Sequence, residues 1–126
     1  MNPRPFMQDE AMRLETSSTQ TASYNSAAFD FGAGFSPNFK MRLSAEVNVS
    51  ALATGGSQTY SHKLQESDDA ATWTDASATL PITATGPNAI VGNVSSRYAR
   101  RVVTIGGAAT SITNEAWLLP DPHASK

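Results

Sequence analysis

The sequence predicts an all-β protein: an antiparallel β-sandwich or jelly roll of about seven or eight strands with an extended N-terminal arm. Three observations carry this. Residues 39–49 alternate, with Phe39, Met41, Leu43, Ala45, Val47 and Val49 apolar and Lys40, Arg42, Ser44, Glu46 and Asn48 polar. That period of two builds a strand with one core face and one wet face; a helix would scatter the same residues around its circumference. Short apolar runs then recur between Gly, Pro and Asx turn signals, with no sustained helical period. Finally, charged residues are 16% of the chain, against roughly a quarter in ordinary domains. Ala, Ser and Thr take their place, which suits strands and turns better than surface helices.

The elements follow in order. Residues 1–12 hold Pro3 and Pro5, which fix φ and lack backbone donors, so an extended arm is expected there. A single sandwich domain is expected over 13–122, and a polar tail over 123–126. Residues 12–24 give a weak strand signal and 27–31 a better one, closed by Gly32 and Gly34. Pro37 disfavours helix at Ser36. The alternating strand over 39–49 ends at Gly55-Gly56. Residues 60–75, YSHKLQESDDAATWTD, read as a hairpin: Tyr60, His62 and Leu64 share one strand face, Ser67-Asp68-Asp69 make an acidic turn, and Trp73 follows as an aromatic anchor. Leu80-Pro81-Ile82 suits an edge strand, since proline is tolerated there. A turn is expected at Gly86-Pro87-Asn88 and a strand over 89–94. The 97–105 strand has no clear inward face by pattern. Gly106-Gly107 turns the chain into a last strand over 111–119.

At 126 residues the chain can bury one continuous core. It has no cysteine, so disulfides and thiolate metal sites are excluded. The formal charge of −2 gives no general attraction to nucleic acid, and no apolar run is long enough to span a bilayer. The start lacks an apolar signal region, so Sec export is not expected.

Chemistry-bearing residues are sparse. Glu66, Asp68, Asp69 and Asp75 form an acidic cluster without calcium-loop spacing, and a solvated turn is the expected reading. His62 has no second ligand at metal spacing and is expected to be packed or hydrogen-bonded; His123 falls in the tail. No G-x-S-x-G elbow accompanies the histidines. Arg97, Arg100 and Arg101 with Tyr98 make a basic cluster suited to carboxylates on a protein partner, since guanidinium binds them bidentately. Arg97 is also placed to pair with Asp68 or Asp69. At least one of Trp73 and Trp117 is expected to be largely buried.

Several motifs, in this order, resemble the small jelly-roll capsid cement (decoration) proteins of tailed bacteriophages. They are Phe29-Asp30-Phe31-Gly32-Ala33-Gly34, the alternating strand, Lys63-Leu64-Gln65-Glu66-Ser67-Asp68-Asp69 leading to Thr72-Trp73, Arg97-Tyr98-Ala99-Arg100, and Ala116-Trp117-Leu118-Leu119-Pro120. The similarity runs over about residues 20 to 122 and leaves out the proline-rich start. It implies a non-enzymatic virion protein, made in the host cytoplasm, that binds the outside of the head across major capsid protein junctions and stabilises it. It implies self-association as a homodimer or homotrimer, with no cofactor, nucleic acid or membrane. No motif fixes the contact residues; the candidates are Arg4, Phe6 and Met7 of the arm with Arg97, Arg100 and Arg101. Other readings are a tail or head-completion protein, a carbohydrate-binding sandwich using Trp73 or Trp117, and a small hydrolase.

Overall fold

A computed structural model of the chain describes residues 13–32 and 41–120. Its elements are all strands: β1 (Arg13–Gln20), β2 (Tyr24–Asn25), β3 (Phe29–Asp30), β4 (Met41–Leu52), β5 (Thr59–Ser67), β6 (Thr74–Asp75), β7 (Leu80–Pro81), β8 (Gly86–Pro87), β9 (Ile90–Val94), β10 (Tyr98–Gly106) and β11 (Ile112–Pro120). They form two antiparallel sheets. The first runs β1-β11-β4, with β8 and β9 in line along the far edge of β4. In the second, β2 and β3 lie in line on one edge of β10, β5 pairs with its other edge, and β6 and β7 lie in line beyond β5.

Counting each broken pair as one strand gives four strands per sheet. Among the strands of the described residues, only the link from β5 to β6 joins neighbours within a sheet; each other step between these strands passes to the opposite sheet. This is the jelly-roll arrangement. The expected strand count therefore holds, while three of the strands are interrupted. The 27–31 signal yields only the two residues of β3, and the turn expected at Gly86-Pro87 is instead a bridge to Asn48 and Val49.

The alternating segment forms β4 as expected, burying Leu43, Ala45, Val47 and Val49; Phe39 lies outside the described residues. β5 turns Tyr60, His62, Leu64 and Glu66 inward. Pairing settles the ambiguous strand: Arg101 sits opposite Leu64 and Ala99 opposite Glu66, so Ala99, Arg101 and Val103 face the core. Ile112, Asn114, Ala116 and Leu118 of β11 meet them from the other sheet. Each fully buried Leu, Ile or Val stabilises the fold by about 1.5–3 kcal/mol. Trp117 and Leu119 alternate with that inward set and so lie on the opposite face of β11. Both are nevertheless buried, at 8% and 9% exposure, and the Arg13 guanidinium stacks 5.0 Å from the Trp117 ring.

One backbone unit joins the sheets at the β5–β9 side. The Ala76 N–H donates to the Leu64 carbonyl at 2.8 Å, and its carbonyl accepts from Asn93 N–H at 2.9 Å. The approach requires glycine at 92: a Cβ there would lie 2.8 Å from the Ala76 oxygen and 3.2 Å from Leu64 Cδ1. Gly92→Ala is therefore expected to lower stability by about 1–3 kcal/mol through backbone displacement. Gly56→Ala, whose Cβ meets only the flexible Gln58 side chain, is expected to change it by less than about 0.5 kcal/mol. Urea unfolding midpoints of the two variants check this.

Candidate functional site

The acidic turn after β5 is built by its own side chains. Ser67 Oγ accepts from the N–H groups of Asp69 (3.2 Å) and Ala70 (2.9 Å) and donates to Asp69 Oδ1 at 3.0 Å. Asp69 Oδ1 also accepts from Ala71 and Thr72 N–H, both at 2.9 Å. These bonds hold a non-glycine residue, Ala70, at φ 61°. The backbone donors of Thr72 and Ala71, then the Ser67 hydroxyl, hold the Asp69 carboxyl below the usual range. Glu66 is turned inward instead: its Oε1 accepts from Ser95 N–H (2.7 Å) and Ser96 N–H (3.1 Å), pinning the bend between β9 and β10. A cleft of about 190 Å³ lies between Glu66, Asp68, Asp69 and Ser96. Glu66 and Asp69 on its wall are both engaged by backbone N–H groups. Among the described residues no three His, Asp or Glu side chains are placed to hold a metal ion.

A second cluster lies inside the sandwich. Arg101 is 0% exposed and reaches across from β10. Its Nη1 donates to Glu15 Oε2 of β1 at 2.9 Å and also to Asn114 Oδ1 of β11; Tyr24 Oη of β2 is 3.3 Å away. Its Nε donates to His62 Nδ1 of β5 at 3.1 Å. The Tyr24 hydroxyl donates to Glu15 Oε1 at 2.7 Å. Burial, reinforced by the Glu15 charge, pushes Tyr24 up to about 12, so it stays protonated. Burial and then the Arg101 charge push His62 down to about 3, so the imidazole is neutral and serves as an acceptor. This is the opposite of a hydrolytic triad, where Nδ1–H donates to a carboxylate and Nε2 takes a proton.

The third cluster covers the outer face of the β10–β5 sheet. Arg97 and Asp30 make a bidentate pair, Nε–Oδ1 at 2.7 Å and Nη2–Oδ2 at 2.9 Å, and the guanidinium lies 5.0 Å from the Tyr98 ring. The hydrogen bond from Arg97 and that from Gly32 N–H lower Asp30 to about 2. Arg100 stacks 4.2 Å from the centre of Trp73 and donates through Nε (3.1 Å) and Nη2 (2.9 Å) to Gln65 Oε1. Lys63 pairs with Asp75 at 3.0 Å.

The three arginines of the sequence cluster are thus separated. Arg97 and Arg100 lie on the outer face, and Arg97 pairs with Asp30, not with the turn aspartates. Arg101 is withdrawn from the surface, because strand alternation sends it inward to the partners just described. Trp73 belongs under Arg100 on the outside of the sheet; Trp117 is the buried tryptophan. His62 is buried and hydrogen-bonded, as expected. Arg4, Phe6, Met7 and His123 lie outside the described residues. Sequence reasoning missed Glu15, Tyr24 and Asn114 as partners of Arg101, since contacts across two sheets leave no local spacing to read. No protein-family model matches the chain, and a search of the curated proteins gives no match.

Two outcomes test the interior cluster. Arg101→Met strands the buried Glu15 carboxylate and is expected to cost about 3–5 kcal/mol, while the double variant Arg101→Met/Glu15→Leu recovers most of it; chemical denaturation of the three proteins measures both. His62 takes up a proton near pH 6.5 when unfolded but only near pH 3 when folded. Its contribution is full above pH 6.5 and is lost as the pH falls toward 3, at about 1.4 kcal/mol per pH unit. His62→Gln keeps an acceptor for Arg101 and removes the titration. Unfolding free energy followed from pH 7 to pH 4 is expected to fall less steeply in the variant, by about one proton's worth.

Proposed function

We propose that the chain is a virion structural protein, a capsid cement protein that binds the outer surface of a phage head. It sits across junctions of the major capsid protein, stabilises them and associates with itself as a dimer or trimer. The observation that carries the reading is where the resembling motifs fall. Their described residues lie in order along the strands of the sandwich, with the Ser67-Asp68-Asp69 turn and Trp73 at the in-sheet link from β5 to β6. A fold hosts many functions, so the side chains matter too. Glu66 and Asp69 brace backbone, the histidine accepts from an arginine, and the outward arginines and aromatic rings form a surface suited to a protein partner. Many copies on a lattice make modest contacts per copy sufficient.

A sugar-binding reading fits less well, because the Arg100 guanidinium lies over the Trp73 ring and Trp117 is buried.

The test is co-sedimentation with heads assembled without this protein, followed by heating. Saturable binding and a rise in the temperature at which the heads lose their DNA are expected. Absence of both overturns the reading.

A further inference from the structure

The outer face of the β10–β5 sheet carries three cations whose treatment differs. Arg97 is neutralised by Asp30, and Lys63 by Asp75. Arg100, between them, makes no salt bridge with any described residue. Among the described residues its only side-chain acceptor is the neutral Gln65 amide oxygen, reached through Nε and Nη2. The Trp73 ring fixes the guanidinium plane at 4.2 Å, and Tyr98 lies two residues along the same face of β10. The side chain is thus pre-positioned on two sides, its Nη1 engages no described residue, and partial desolvation lowers its pKa. Ordering an arginine without compensating its charge leaves a site to which a carboxylate can add with little entropy cost. Arginine and tryptophan are also the types that dominate interface energetics.

We infer that Arg100, held by the Trp73 ring and Gln65, is the docking point for a carboxylate on the surface of a protein partner. Charge complementarity selects that occupant: among the described residues the face holds one uncompensated cation, and the Trp73 ring beside it supplies apolar surface. The partner's identity as the capsid protein rests on the reading above; the carboxylate-binding surface does not.

The test has two arms. In the first, hexaglutamate is titrated into the isotopically labelled protein and followed by NMR. Shifts at the Trp73 indole and Arg100 Nε–H resonances are expected. They should weaken with added salt, fall at least tenfold in apparent affinity in Arg100→Gln and persist in Arg97→Gln. No response at these resonances, or an equal response in Arg100→Gln, overturns the inference; so does a thymidine octamer that displaces hexaglutamate at lower concentration. In the second arm, heads lacking this protein are mixed with each variant. Loss of wild-type binding in Arg100→Gln and Trp73→Leu, but not in Arg97→Gln, supports the docking point. Binding unaffected in the first two overturns it and leaves the cement reading standing. Failure of the wild type to bind heads while hexaglutamate still binds removes the cement reading and supports the surface. Melting temperatures within about 3 °C of wild type show that the variants fold.

Discussion

The cross-sheet contact of Arg101 with Glu15 is the constraint around which this sandwich is arranged. A buried guanidinium demands partners, since an ion stripped of water costs several kcal/mol unless paired and hydrogen-bonded. Its partners come from β1, β2, β5 and β11, so four strands must be in place before those bonds to Nε and Nη1 form. The contact also fixes register. A one-residue slip of β10 against β5 would turn Arg100 inward and Arg101 outward, leaving Glu15 buried without its cation. Apolar residues alone would punish such a slip less, because Val102 and Val103 are interchangeable in kind.

Around this centre the chain uses its polar side chains as struts. Glu66 holds the β9–β10 bend, Asp69 and Ser67 close the β5 turn, and Asp30 receives Gly32 N–H as well as Arg97. A chain so poor in charge commits much of it to its own backbone and to internal pairs. Arg100 stands apart from that pattern: it is ordered by Trp73 and Gln65 with no described carboxylate opposite its charge.

The legible part of the fold was the part governed by alternation. Residues 41–49 and 60–64 fell on their predicted faces, because a strand with one buried side writes its pattern directly into sequence. The sandwich followed from turn spacing. The 97–105 strand was illegible because its inward set, Ala99, Arg101 and Val103, contains the residue type that usually marks the outside. Trp117 met the expectation that one tryptophan is buried, but on the face of β11 away from the core, which no pattern in the sequence marks. Of the candidate site, Arg97 and Arg100 were legible as surface cations. The bond of Arg100 to Gln65 and its stacking on Trp73 were not, since they depend on which strands lie side by side.

The sheet edges have a consequence for life at high local concentration. Three of the four are made of interrupted pieces, β2/β3, β6/β7 and β8/β9, and the fourth, β1, carries two register shifts against β11. An uninterrupted edge is a template for a foreign strand, and breaks and bulges spoil that template. Among the described residues, therefore, no edge offers a neighbouring copy a long unbroken strand in regular register to pair with.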